Sequence, residues 1–405
     1  MIKKVLLILM IVLISSCIEE YQIPKSALVS SKEVVIQGRI LAGEESVFYV
    51  SYTKAFGDRS QLQETILNAK VTIIGQNGYE SKKAEFNMEN DRYVIDTKDL
   101  EANTLYAVKV EAEGETYQSD FLTLLETPEI KDITYKERED GISIHVSTEG
   151  ESGTFKNYMW TFEEDWEFTA PIDFVTHFKG GGTVIYNDEF YPLKDKAKNE
   201  YYRCWKHNKS SNIYIYSTNK LQENSVKDYE LFRIAGNDPK ISSIYSLLLK
   251  QTSISDEAYH YYEQLKRFSE ESGGLFTPMP HEIKGNITCT SNPAIKARGY
   301  ILSAKVKSQR IFIYASDFSK RETPYHYVPC EEKPLSEIDP RAWGELTTAI
   351  GNGAIVYSPQ SLFYSRYWLA QLDKEDIFYT RSCVDCRAVE NATNKRPDFW
   401  PIINK

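Results

Sequence analysis

The densest chemistry in this chain lies in one nine-residue stretch, Trp160-Thr161-Phe162-Glu163-Glu164-Asp165-Trp166-Glu167-Phe168, which carries four carboxylates. If the stretch is extended, its side chains alternate: Trp160, Phe162 and Glu164 share one face, and Glu163, Asp165 and Glu167 share the other. Such a row suits two tasks. It can offer oxygen ligands to calcium, or supply the carboxylates that a sugar hydrolase holds ~5–10 Å apart. No second acidic cluster announces itself to complete a glycosidase pair, since those acids usually come from different strands. The expectation is therefore an edge strand with a solvated acidic face, where charge also discourages aggregation. Trp160 and Trp166, with Phe276 in the loop Gly273 to Pro280, are the candidate ligand or partner contacts.

A second chemical signal sits at the start of the chain. Lys3 and Lys4 precede an apolar run from Val5 to Ile14, then Ser15, Ser16 and Cys17. A charged region, a short apolar core and a small-residue cleavage site make a secretory signal too short to span a bilayer as a helix. A cysteine directly after the small pair marks a lipoprotein signal, with Cys17 lipidated and becoming the mature N-terminus. Glu19 and Glu20 follow, an unfavourable pair beside a bilayer but a suitable tag for a sorting receptor. They resemble the acidic export signal of surface lipoproteins in Bacteroidota. The expected location is the outer membrane, lipid-anchored and facing the exterior.

Other catalytic patterns are missing. The six histidines (His145, His177, His207, His260, His281 and His326) show no i, i+4 pair and no HExxH. There is no Gly-x-Ser-x-Gly elbow, and Gly180-Gly181-Gly182 lacks the lysine of a phosphate loop. No metal or cofactor is implied. Beyond Cys17 stand five cysteines: Cys204, Cys289, Cys330, Cys383 and Cys386. In an exported protein an odd count leaves one thiol free, and Cys289 is the candidate. Cys204, Cys330, Cys383 and Cys386 then form two bridges in one of three connectivities. Cys383-Val384-Asp385-Cys386 has no partner pair and no ligand histidine nearby, so structural bridging is expected rather than zinc or redox chemistry.

The elements that must position these residues read as mainly β. The chain has 405 residues, 28 of them Tyr and 18 Phe, which favours strands. Its net charge of −10 argues against nucleic acid as a partner. Residues 1–16 form the signal peptide and 17–32 a polar tether. Residues 33–126 carry short alternating segments such as Val47–Val50, Val71–Ile74 and Tyr106–Val110, separated by turn signals. That pattern predicts an Ig- or prealbumin-like β-sandwich, with Glu126-Thr127-Pro128 as a linker. Residues 130–405 are a larger β-rich domain with a bridge-pinned C-terminal tail. One segment changes period: Ser255 is a suitable N-cap, Asp256 and Glu257 occupy the first turn, and Tyr261, Leu265 and Phe268 share a face. A single amphipathic helix over 256–271 follows. A short helix between Ser336 and Ala349 is a further expectation.

Several motifs occur in an ordered run. They include Trp160-Thr-Phe-Glu-Glu-Asp-Trp166, Cys204-Trp205, Tyr245-Ser246, Gln251-Thr-Ser253 and Glu257-Ala-Tyr259-His-Tyr261-Tyr262. After these come Gly273-Gly-Leu-Phe276-Thr-Pro278-Met-Pro280, Gly285-Asn286-Ile287, Gly299-Tyr300, Arg310-Ile-Phe312, Cys383-Val-Asp-Cys386 and Arg396-Pro-Asp-Phe-Trp400. Together they resemble the Bacteroidota outer-membrane lipoprotein family catalogued as domain of unknown function 4249. The resemblance spans the mature chain, and only Glu390-Asn391-Ala392 departs from it, where a Gly-Gly would stand. It implies a lipoprotein encoded beside a TonB-dependent transporter, and it carries over no catalytic residue. The function expected is a non-catalytic accessory or binding subunit for uptake. The alternatives are a hydrolase acting on glycans or peptides and a structural or assembly factor of the envelope.

Overall fold

The computed structural model describes residues 32–54, 64–98, 100–101, 104–150, 156–171, 176–179, 183–186, 202–271, 283–318, 332–334, 355–357, 377–379 and 386–402. Two compact units emerge. The first comprises 1–124 and 280–303, the second 125–279 and 304–405.

Eight strands open the first unit. They are β1 (Val34–Ala42), β2 (Glu45–Tyr52), β3 (Lys70–Gly75), β4 (Glu85–Asn87), β5 (Arg92–Asp96), β6 (Leu105–Ala112), β7 (Glu115–Ser119) and β8 (Leu122–Thr123). Alternation places Ile36, Phe48, Val71, Ile73, Val108 and Val110 in one core enclosed by two sheets. Tyr93 joins that core and fixes the loop before β3: its hydroxyl donates to the Ile66 carbonyl at 2.5 Å and accepts from the Ala69 amide at 3.0 Å.

The second unit begins with β9 (Ile130–Arg138), β10 (Gly141–Glu149), β11 (Asn157–Thr169), β12 (Thr176–Lys179) and β13 (Thr183–Tyr186). It continues with β14 (Arg203–Lys209), β15 (Tyr214–Ser217), β16 (Ser225–Ala235), β17 (Ile244–Ile254) and the helix α1 (Asp256–Glu271). The helix has the expected bounds. Ser255 Oγ accepts from the Ala258 amide at 3.2 Å, and Ala258 and Tyr261 are buried beneath it. Asp256 at its start accepts hydrogen bonds from Asn157 (2.6 Å) and Asn219 (3.0 Å), which hold its carboxyl below the usual range.

The chain then returns to the first unit through β18 (Ile287–Cys289), β19 (Ala297–Arg298) and β20 (Ile301–Lys305). β18 extends the sheet β18-β7-β6-β3, and β19 and β20 both pair with β1 in the sheet β19-β1-β2-β5-β4. Gly299 makes the bend between β19 and β20 with φ +105°, and a Cβ there would meet the Ile36 carbonyl oxygen at 1.9 Å. The sandwich is thus discontinuous, where contiguous domains over 33–126 and 130–405 were expected. The expected linker 126–128 is tied into the second unit at Thr127 and Pro128. Thr127 Oγ1 accepts from the Ser253 amide at 2.8 Å, and the Pro128 carbonyl accepts from Gln251 Nε2 at 2.9 Å.

The remaining strands are β21 (Lys307–Tyr314), β22 (Glu332–Pro334), β23 (Ile355–Tyr357) and β24 (Ile377–Tyr379), the last three forming a sheet ordered β22-β24-β23. The core of the second unit lies between β16-β10-β9 and β14-β11-β17-β21, with Ile142, Ile144, Leu231 and Ile234 meeting Trp160, Phe162, Leu247 and Leu249. The fold is mainly β, two sandwiches with one helix of three or more turns among the described residues. The expected helix over 336–349 lies outside the described residues.

Candidate functional site

The acidic stretch forms the second half of β11, and its neighbours decide its character. β11 pairs antiparallel with β17 from Asn157↔Ile254 to Glu167↔Ile244, and on its other side with β14 from Glu163↔Lys209 to Thr169↔Arg203. It is a central strand, not the expected solvated edge. Glu164, Asp165 and Glu167 are all buried. The alternation itself is as read from the sequence. Trp160, Phe162, Trp166 and Phe168 belong to the core, with Glu164 on the same face.

Burying a carboxylate demands donors on its oxygens. Glu164, 3% exposed, receives Lys240 Nζ at 2.9 and 3.1 Å, the Tyr245 hydroxyl at 2.7 Å and Asn208 Nδ2 at 2.9 Å. Lys240 comes from the 3-10 turn Pro239–Ile241 that precedes β17, and its ammonium also lies 5.2 Å from the Trp166 ring centre. Burial, and then the neighbouring Glu164 charge, push the Tyr245 hydroxyl well above its ordinary pKa, so it stays a donor.

The opposite face carries the other three acids, each met by a cation or donor from a neighbouring element. Asp165 accepts from His207 Nδ1 at 2.8 Å and from Arg310 Nη1 at 3.1 Å, and the same guanidinium nitrogen donates to Ser246 Oγ at 2.6 Å. Glu163 faces Lys250 at 3.2 Å and Lys209 at 3.6 Å. Burial works against ionisation of Glu163, but these two lysines outweigh it and hold its carboxyl below the usual range. Glu167 accepts from Ser243 Oγ at 2.8 Å and from Trp400 Nε1 at 3.2 Å, with Arg203 Nε at 3.7 Å. Phe399 and Trp400 lie against this face, whereas Cys386, Val389 and Ala392 pack with the core. Trp400 packs edge-on to Trp205 and Phe312, the Phe399 ring lies 3.6 Å from the Arg310 guanidinium carbon, and Thr393 bridges to Trp205.

Two arrangements carry the outline of acid–base chemistry. Asp165 orients His207, whose side chain is 47% exposed. Among the described residues no hydrogen bond joins a serine, threonine or cysteine to that imidazole. The second lies on β10, where sequence reasoning had not looked. Ser143 Oγ is 2.9 Å from His145 Nε2, and His145 Nδ1 is 3.2 Å from Asp228 Oδ1 and 3.1 Å from the Asp228 carbonyl. With Nδ1 protonated, that is the order of a serine–histidine–aspartate relay. The available signal was Ser143-Ile144-His145, two polar residues on one face of an alternating strand. Access decides against it: Ser143 is 0% exposed and His145 6%. A hydrogen bond from Lys136, against some opposing burial, holds Asp228 below the usual carboxylate range.

The other expected site residues divide cleanly. Trp160 is wholly buried and donates through Nε1 to Gln251 Oε1 at 2.8 Å, and Trp166 is 5% exposed. Both are core residues, so neither is the ligand or partner contact anticipated, because the strand that carries them is covered on both sides. Cys204 and Cys386 form a disulfide, and Cys289 is free and buried. Cys17, Glu19, Glu20, Phe276, Cys330 and Cys383 lie outside the described residues, as does the loop Gly273–Pro280. Among the described residues no three histidine, cysteine or carboxylate side chains gather as a metal site, and no helix is long and apolar enough to cross a membrane. A cavity of about 260 Å³ opens at one end of the second sandwich, between the β9–β10 turn, Asn237, Ile241 and Phe318.

Fold and site define a protein of two β-sandwich units in which a buried ionic network occupies the central strand of the second. The chain belongs to the family described as domain of unknown function (DUF4249), whose model matches residues 18–310. No curated protein matches it. Among solved structures, the two-domain fibronectin type III segment of chicken tenascin is similar at 12% identity, covering 55% of this chain and 91% of that one, with a TM-score of 0.16.

Proposed function

We propose that this chain is a surface-exposed lipoprotein of the outer membrane, serving as a non-catalytic accessory or binding subunit of a TonB-dependent transporter in nutrient uptake. The observation that carries the reading is the signal ending at Ser15-Ser16-Cys17, followed by Glu19 and Glu20. Diacylation of one cysteine supplies membrane affinity without a spanning helix. The site geometry supports a binding body over a catalyst. All four acids of β11 are engaged by donors or cations, so none stands ready for a substrate.

The test is cross-linking of tagged protein in intact outer membranes followed by affinity capture. A TonB-dependent barrel should co-purify, and Cys17→Ala should move the protein out of the membrane fraction and abolish capture. Membrane retention of Cys17→Ala would overturn the anchoring, and capture without any transporter would overturn the accessory role.

A hydrolase reading has one observation in its favour, the Ser143–His145–Asp228 geometry. Its test is labelling by a fluorophosphonate probe. The native protein should take up none, because Ser143 is closed to solvent; labelling abolished by Ser143→Ala would establish the hydrolase instead.

A further inference from the structure

The sheet β16-β10-β9 ends on β9, and among the described residues that end is open. β9 pairs with β10 from Gly141↔Arg138 to Thr148↔Ile130, and no described residue gives a backbone hydrogen bond to its other side. A strand left so presents a row of amide and carbonyl groups that a further strand can complete. Charge is the usual guard on such an edge, and Lys131, Asp132, Lys136, Glu137 and Arg138 are all exposed. Asp132 differs from its neighbours. Lys131 has Glu149, Lys136 has Asp228 and Arg138 has Glu230, whereas the Asp132 carboxylate has neither cation nor donor among the described residues.

The order of these charges fits one strand in particular, a second β9. Laid antiparallel about Thr134, Lys131-Asp132-Ile133-Thr134-Tyr135-Lys136-Glu137 complements itself residue by residue. Asp132 of one copy faces Lys136 of the other, Lys131 faces Glu137, and Ile133 faces Tyr135, each pairing occurring twice. The faces agree as well. Asp132, Thr134 and Lys136 stand opposite Ser147, His145 and Ser143 of β10, on the side away from the core, while Ile133 and Tyr135 belong with the core. Opposite charges and apolar–aromatic pairs directly across a ladder are favourable, and like charges are not. A slip of one residue in either direction sets Lys131 against Lys136 or Arg138, so the neighbouring registers are rejected.

We propose that β9 is an interface for a second copy of this chain, the two strands pairing antiparallel about Thr134. The contact is isologous, so the two three-stranded sheets join into one continuous sheet ordered β16-β10-β9-β9-β10-β16. The Lys136 ammonium has three donors, and it serves Asp132 of the other copy while keeping Asp228. One strand buries less area than an obligate dimer needs, which makes the association reversible.

The test is disulfide trapping in the purified full-length protein. Thr134→Cys places a thiol on the two-fold axis, at a separation that a cross-strand pair can bridge. Mild oxidation should give a covalent dimer, at a yield well beyond that of Lys227→Cys on β16, the other edge of the sheet. Asp132→Lys or Lys136→Asp, each added to Thr134→Cys, sets like charges opposite one another and should lower the yield about tenfold. Mixing those two variants brings opposite charges together again in trans and should restore the dimer. Yields from Thr134→Cys no greater than from Lys227→Cys would overturn the interface. Trapping that ignores both charge changes would overturn the self-pairing. So would a yield that stays low in a mixture of variants whose far-ultraviolet dichroism matches the native protein.

Discussion

Replacing Lys240 by methionine tests the buried network at the Glu164 carboxylate. Lys240 is 23% exposed as a side chain and Glu164 is 4%, so the change removes the one cation bonded to this desolvated carboxylate among the described residues. Stripping one partner from a buried ion pair costs about 3–5 kcal/mol, because the remaining charge stays uncompensated. Tyr245 and Asn208 continue to donate to Glu164, and Lys240 is itself partly hydrated, which places the expected loss near the lower end, about 3 kcal/mol. The assay is built into the sequence. All six tryptophans lie at 160 or beyond and none falls within 280–303, so urea unfolding followed by tryptophan fluorescence reports the second unit alone. Removing both charges with Lys240→Met and Glu164→Leu should recover most of the loss, since a matched apolar pair commonly replaces a buried ion pair at little cost. As a control, Lys131→Met breaks an exposed pair with Glu149 in the same unit and should change stability by less than about 1 kcal/mol. A Lys240→Met variant within about 0.5 kcal/mol of the native protein would refute the reasoning, because the carboxylate could not then be buried as placed.

Three further outcomes follow from the same geometry. The Cys204–Cys386 bond closes a sequence separation of 182 residues, and loop entropy sets its contribution at about 5 kcal/mol at most. Cys204→Ser should accordingly lower the urea midpoint of the second unit by more than any single surface substitution. Glu163 and Asp256 have folded pKa values below their unfolded ones, so their stabilisation is present above the ordinary carboxylate range and is lost as pH falls through it. Lys250→Met raises the folded pKa of Glu163 toward the unfolded value, and stability measured from pH 7 downward should then fall less steeply than in the native protein. Gly299→Ala forces a Cβ against the Ile36 carbonyl at a positive φ, which should cost the first unit about 2 kcal/mol or more, read by the melting of its far-ultraviolet dichroism.

Much of this architecture is local and therefore legible. Alternation marks β1, β2, β3, β6, β10 and β11 because each buries one face or both, and the helix over 256–271 announces itself through Ser255, the acids of its first turn and its shift to a helical period. Cys289, the candidate for the odd thiol, is free among the described residues. What escaped detection is non-local. Nothing in Ile287–Cys289 or Ile301–Lys305 says that these strands return across more than 150 residues to β7 and β1, since pairing partners leave no mark on each other's spacing. The same gap explains the acidic strand. Periodicity shows which side chains share a face, but not whether strands flank it on both sides. Trp160 and Trp166 looked available for recognition only while β11 was taken as an edge.

A central strand that is buried on both faces has a register problem, and the acids of β11 answer it. Apolar alternation alone specifies register weakly when both faces are covered, because a one-residue slip exchanges one apolar set for another. In β11 the slip would carry Glu163, Asp165 and Glu167 to the face now held by Phe162, Trp166 and Phe168, away from Lys250, Arg310 and Ser243. Three carboxylates would enter the core: one would take the place of Glu164 among its donors, and the other two would fall where rings now pack, without partners, at several kcal/mol each. The rings would leave it at the same time. The cations that receive the acids come from three different strands, β14, β17 and β21, so a single register of β11 satisfies all of them together. The cluster that first suggests catalysis thereby acts as a lock on strand alignment. Such a lock serves a binding protein, whose ligand surfaces need a rigid sandwich behind them, better than it serves a hydrolase, whose carboxylates must change protonation state during turnover.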